Sequence, residues 1–112
     1  MNAQEKKPPA MSDDSLFFTP ATELLGMIRA RQLSPVELVT AVLARAERLQ
    51  PVLNCFINLT PERALAEARR AEADIVAGRP LGRLHGIPFT VKDLVNTEGV
   101  PTTFGAVVHR DN

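Results

Sequence analysis

The sequence predicts an α/β fold, mostly helical, with one βαβ unit spanning residues 53–92. Leu53 to Leu59 sets Leu53, Cys55, Ile57 and Leu59 on one face and Asn54, Phe56 and Asn58 on the other. Ile87, Phe89 and Val91 likewise alternate with Pro88, Thr90 and Lys92. Both runs have the period of two that marks a half-buried strand. Between them, residues 61–77 read as a helix. A crossover of that length suits a parallel, right-handed connection and is too long for a hairpin.

At the N-terminus, residues 1–15 contain Lys6-Lys7, Pro8-Pro9 and little to bury, so they read as a disordered tail ahead of a single folded region over 16–112. Thr19-Pro20 opens the first helix, with Thr19 as cap and Pro20 at the first helical position. Leu24, Leu25 and Ile28 give this helix one apolar side, and it ends near Arg31. Ser34-Pro35-Val36-Glu37 is the clearest local signal: the Ser34 hydroxyl and the Glu37 carboxylate are spaced for a reciprocal capping box. Val36, Val39, Val42, Leu43, Ala46 and Leu49 then recur at helical spacing, and Pro51 closes the helix.

Thr60-Pro61-Glu62 repeats the cap-then-proline start, with Leu65, Ala68, Ile75 and Val76 turned inward. Arg63 with Glu67, and Arg70 with Asp74, are spaced as exposed pairs on a solvated face. Gly78 and Pro80 stop the helix. After Lys92 come a Gly/Pro/Thr loop (97–105) and a short strand at 106–109. Two strands rarely stand alone, and only one short possible strand follows them, so the chain is expected to be the beginning of a larger α/β domain.

Composition narrows the function classes. Thirteen basic residues balance thirteen acidic ones among 112, so no global field draws the chain to nucleic acid or to an anionic membrane. There is no Trp or Tyr to form a stacking platform for single strands. No apolar run approaches bilayer length, and no apolar signal segment follows Lys6 and Lys7. The lone Cys55 fits a reducing compartment and reads as a small buried hydrophobe. A cytoplasmic protein is expected.

Few residues carry chemistry. Two histidines far apart, His85 and His109, make no metal-ligand spacing, and His85 beside Gly86 reads as a turn residue. The glycines form no G-x-G-x-x-G phosphate cradle, so neither metal nor cofactor is expected. Lys92 is the candidate, because it is the one cation of its strand and sits at the carboxyl end, where sheets covered by helices form clefts. Taken by themselves, Lys92 and Asp93 at a strand end are more often a solvated surface pair. Thr102, Thr103 and Phe104 read as plain loop.

The succession L-S-P-V-E-L, L-N-C-F, A-L-A-E-A-R-R-A-E-A-D, G-R-L-H-G-I-P-F-T-V-K-D and G-V-P-T-T-F-G resembles the N-terminal part of the amidase signature family from Leu16 onward. The resemblance implies the N-terminal portion of a large mixed sheet wrapped by helices. It also implies hydrolysis of a non-peptide carbon–nitrogen bond in a small-molecule amide through a Ser–Ser–Lys triad, with Lys92 on the lysine. In such a triad the neutral lysine deprotonates a bridging serine, which activates the nucleophilic serine. A lysine can do this only after desolvation has lowered its reference pKa near 10.4 by several units.

The only serines here are Ser12, Ser15 and Ser34, two in the tail and one in a helix cap, so none is the nucleophile. A fragment inactive alone is therefore expected. The same resemblance covers a second activity, that of the amidase component of a tRNA-dependent amidotransferase. A third reading, of another class, is a non-catalytic remnant that self-associates or binds another chain, including the remainder of an amidase domain, through exposed apolar surface.

Overall fold

The computed structural model describes residues 13–112. Four helices come first: α1 (Asp13–Phe17), α2 (Ala21–Arg29), α3 (Pro35–Leu53) and α4 (Pro61–Val76). An irregular segment follows, with one 3-10 turn at Val107–His109. The predicted tail falls mostly outside the described residues, and its last residues, from Asp13, already belong to α1.

Local chemistry explains the helix boundaries. At the start of α2, the Pro20 carbonyl accepts from the amides of Glu23 and Leu24 (3.0 Å each), so proline takes the cap position. The Thr19 hydroxyl does not cap α2 as the sequence suggested; it donates to the Ser15 carbonyl at 2.7 Å, closing α1 instead. The capping box at α3 forms as read. Ser34 Oγ accepts from the Val36 amide at 3.0 Å, and Glu37 Oε1 accepts from the Ser34 amide at 3.4 Å.

At the far end of α3 the expectation fails, because the helix runs through Pro51 to Leu53. A proline in a final turn forfeits one amide bond, and the helix closes anyway. Asn54 adopts a left-handed conformation (φ 47°), and its amide reaches the Gln50 carbonyl at 2.7 Å. Arg63 pairs with Glu67 at 3.1 Å as read, but Asp74 turns from Arg70 to Arg79, at 2.5 Å.

Helices α3 and α4 pack side by side and antiparallel. Ser34 at the head of α3 donates its hydroxyl to Glu72 near the foot of α4 at 2.5 Å. The Arg31 guanidinium likewise donates to the Ile75 carbonyl at 3.0 Å. The core gathers at this end, where Leu24, Ile28, Leu33, Leu38 and Ile75 are buried together. Met27, Val42, Leu81 and Ile87 pack partly buried around them. Val76, expected inward, is exposed, because the core occupies the Ala68–Ile75 face of α4.

The βαβ unit is not formed: no strand occurs among the described residues, and the one isolated bridge pairs Thr97 with Val100. Leu53 is consumed by α3. Beyond it, the Gln50 side-chain amide meets the backbone of Phe56 on both sides, donating to its carbonyl at 2.7 Å and accepting from its amide at 3.1 Å. This local clamp takes the bonds that a neighbouring strand would have supplied. Residues 88–92 run as irregular chain, and Phe89 is 81% exposed. The short strand expected at 106–109 is instead a series of three-residue-spaced bonds, from His109 to Ala106 (3.0 Å) and from Arg110 to Val107 (3.1 Å). Alternation shows which face of a segment suits burial; it does not supply the partner that makes a strand.

Chain 79–112 is fastened to the helices at a few points. Arg29 donates to the Gly82 carbonyl (3.3 Å), and a His85 ring nitrogen lies 2.9 Å from the Ala71 carbonyl. Arg63 donates to the Glu98 carbonyl at 2.7 Å. The closest passage is at Gly86, whose φ is +84° and where a β-carbon would stand 2.9 Å from Cγ of the buried Pro35.

Replacing glycine by alanine therefore has opposite expected signs at two positions. Gly26, exposed on α2 with open space around it, gains about 0.5–1 kcal/mol as Gly26→Ala. Gly86→Ala loses about 1–3 kcal/mol through left-handed strain and the clash with Pro35. Ser34→Ala removes the cap and the bond to Glu72, and is expected to cost about 1–2 kcal/mol. Thermal unfolding followed by circular dichroism measures all three, at about 4–8 °C per kcal/mol for a domain of this size.

Candidate functional site

The site begins where the segment 84–95 leaves the helices. The turn from Gly82 to Ile87 is closed by the bonds His85 amide to Gly82 carbonyl (3.3 Å) and Ile87 amide to Leu84 carbonyl (3.0 Å). Ile87 is the last side chain to reach the core. From Phe89 to Lys92 every residue is exposed, and the Lys92 carbonyl then accepts from the Val95 amide (3.0 Å), turning the chain.

Lys92 is exposed in this arrangement, and no salt bridge joins it to a carboxylate among the described residues. Its apolar neighbours Val91, Leu94 and Val95 are exposed as well, so they form no dry pocket around its amine.

Asp93 is the organised residue of the site. Its Oδ1 accepts from the Thr103 amide at 2.7 Å, and its Oδ2 accepts from the Gly105 amide at 3.1 Å and from the Thr103 hydroxyl. Its backbone carbonyl accepts from the Phe104 amide at 3.1 Å. Phe104 (φ 54°) and Gly105 (φ 74°) are both left-handed, which brings neighbouring N–H groups onto one carboxylate, as in an anion-binding nest. The Thr103 hydroxyl, and then the backbone amides, hold the Asp93 carboxyl below the ordinary aspartate range.

Thr102 and Thr103, read from the sequence as plain loop, are the two buried polar residues of the described chain. The Thr102 amide reaches the Asn112 carbonyl at 2.9 Å, and the Asn112 side-chain amide returns to the Thr102 carbonyl at 2.9 Å. Sequence reasoning missed this clasp. The available signal was an aspartate followed by a Thr-Thr-Phe-Gly turn, whose glycine allows positive φ.

His85 is the turn residue expected, and His109 sets its ring edge-on to Phe104 at 5.7 Å. Cys55, expected to be buried, is exposed, because its segment does not join a sheet. Among the described residues no three His, Cys, Asp or Glu side chains gather where they could hold a metal ion, and no helix is long and apolar enough to cross a membrane. A shallow cleft of about 430 Å³ opens beside the clasp between Asn96, Val100, Thr102 and Asn112. A second, of about 660 Å³, lies at the α2–α3 corner among Arg31, Ser34, Glu37 and Glu72. Lys92 lines neither.

The chain is similar to known proteins over 70% to 98% of its length. The chain is 42% identical over 110 residues to a putative amidase, AmiD, of Mycobacterium tuberculosis, a match covering 98% of the chain and 23% of that protein. It is 35% identical over 102 residues to an acylamidase of Rhodococcus erythropolis (91% of the chain, 21% of that protein). It is 46% identical over 79 residues to a glutamyl-tRNA(Gln) amidotransferase subunit of Chloroflexus aurantiacus (70% of the chain, 16% of that protein). The chain thus spans less than a quarter of the length of the curated relatives it matches. No solved structure matches it. The family model described as Amidase matches residues 37–112, a stretch that takes in α4, most of α3, Lys92 and the Asp93 clasp, and the chain belongs to the amidase family.

Proposed function

We propose that this chain supplies the lysine base of an amide hydrolase that cleaves a non-peptide carbon–nitrogen bond through a Ser–Ser–Lys triad, with Lys92 as that base. The observation that carries the proposal is the family match, which includes the segment L-H-G-I-P-F-T-V-K-D ending on Lys92 and Asp93. The bridging serine and the nucleophile would come from polypeptide outside these 112 residues, since the described serines are Ser15, within α1, and Ser34, committed to the α3 cap and Glu72. The length of the relatives is consistent with this.

The role asks one thing of Lys92. An amine takes a proton only when neutral, and an amine bathed in water is charged at neutral pH. Lys92 therefore needs a dry surrounding that the described residues do not provide. The exposed Phe89, Val91, Leu94 and Val95 are the surface against which further amidase chain would close, and there the alternation of 87–92 would become a strand in a mixed α/β sheet. The small-molecule substrate would meet Lys92 only in that closed form. A second reading, the amidase component of a tRNA-dependent amidotransferase, is favoured by the 46% identity to the Chloroflexus protein. It keeps Lys92 in the same role. The same exposed apolar surface would equally serve a non-catalytic chain that binds a partner.

A chimera tests the proposal. This chain replaces the 110 matching residues of the mycobacterial relative, and amide hydrolysis is measured. The chimera is expected to hydrolyse the amides its parent hydrolyses, and Lys92→Ala to lower kcat by about 10³–10⁶-fold with the fold retained by circular dichroism. The 112-residue chain alone is expected to show no turnover. A folded Lys92→Ala chimera as fast as its parent, or hydrolysis by the isolated chain, would overturn the assignment. The amidotransferase reading gains only if the same exchange into the Chloroflexus protein supports amidation of glutamyl-tRNA.

A further inference from the structure

The residue after Lys92 makes more hydrogen bonds than any other described side chain of the loop, and none of them goes to the lysine. Both Asp93 carboxylate oxygens are directed at the turn 103–105, where they take the amides of Thr103 (2.7 Å) and Gly105 (3.1 Å) and the Thr103 hydroxyl. The backbone reinforces this, with the Phe104 amide on the Asp93 carbonyl (3.1 Å). Thr103 is only 6% exposed, so its groups have little access to water as an alternative partner. The far side of the loop is tied down separately, by Arg63 of α4 on the Glu98 carbonyl and by Thr102 on the Val95 carbonyl at 3.3 Å. The chain leaving Lys92 is therefore fastened within one residue of the lysine, to a loop itself anchored on α4.

We propose that Asp93 is a positioning residue for Lys92: it fixes the backbone from which the lysine projects, and it keeps its own negative charge on the loop instead of on the lysine amine. This rests on the reading of Lys92 as a base. An aspartate paired with that amine would stabilise the ammonium and oppose base function. An aspartate whose oxygens are filled by the Thr103 and Gly105 donors holds the lysine in place without doing so. The charged and titratable groups on this loop and against it include Lys92 itself, Glu98 and Arg63 of α4, His109 against Phe104, and the exposed Arg110–Asp111 pair, and none of their side chains joins the clasp.

The test uses the 112-residue chain and NMR. The Thr103 and Gly105 amides report the clasp, and the side-chain signals of Lys92 report whether the carboxylate reaches its amine. On acidification both amides are expected to move together, with one midpoint below the ordinary aspartate value near 3.9. The sign follows from the depressed carboxyl: the clasp is complete above that range and opens as the pH falls through the lowered value. In Asp93→Asn both amides are expected to lose that transition and about tenfold of their hydrogen-exchange protection. Backbone order at Lys92 falls.

Unmoved amides, or unchanged order at Lys92, would refute positioning. Lys92 side-chain signals that shift together with the Asp93 transition would show that the carboxylate serves the amine instead, and would equally overturn the proposal. If Asp93→Asn does not fold, Thr103→Val decides: the Asp93 midpoint is expected to rise toward about 3.9, and a midpoint that stays put refutes the clasp. None of these readouts requires Lys92 to be a base, which the chimera decides separately.

Discussion

The corner between α2 and α3 is the constraint on which the rest depends. Ile28 and Pro35 are the most deeply buried side chains there, and the chain must turn between them within a few residues. Arg31 takes a left-handed φ of 59°, and the amides of Gln32 and Leu33 fold back onto the Met27 carbonyl. Ser34 then does two jobs, capping α3 and bonding Glu72 of α4. One residue thereby sets both where the long helix begins and which part of its neighbour it faces. Gly86 passes so close to Pro35 that a side chain there has no room, which places the segment leading to Lys92.

Beyond that corner the structure is held by polar anchors more than by apolar burial. The segment 79–112 contributes Leu81 and Ile87 to the core, while Leu84, Phe89, Val91, Leu94, Val95, Val107 and Val108 stay exposed. The Cα radius of gyration of the chain, 16.2 Å, exceeds the roughly 13 Å of a compact domain of this length. Order in the segment comes instead from specific hydrogen bonds: Arg29 to Gly82, His85 to Ala71, Arg63 to Glu98 and the Asp93 clasp. Such bonds tolerate solvent and leave apolar faces available. The helices carry the core, and the loop carries Lys92 and the Asp93 bonds.

Much of the helical half was legible in advance because its signals are local. A capping box, a proline at the head of a helix and a glycine at its end act through neighbours within four residues, and at Ser34, Pro61 and Gly78 they behaved as such signals do, although the Thr60 side chain, expected to cap α4, makes no capping bond. The boundary at Pro51 moved because a last-turn proline costs one bond and Asn54 could still close the helix. The strands could not be read the same way. Leu53–Leu59 and Ile87–Lys92 have strand-like alternation, yet Gln50 satisfies Phe56 locally, and the second segment has no neighbour to pair with among the described residues.

The family and most of the helix starts were already decided in the order of the residues, because each rests on short spacings that any fold must respect. That Lys92 stands exposed, and that Asp93 is turned onto Thr103 and Gly105, ten and twelve positions away, was settled only when the chain packed in three dimensions. Contacts across such separations depend on how the loop closes and on which backbone amides are left free to donate. No periodicity in the chain encodes that.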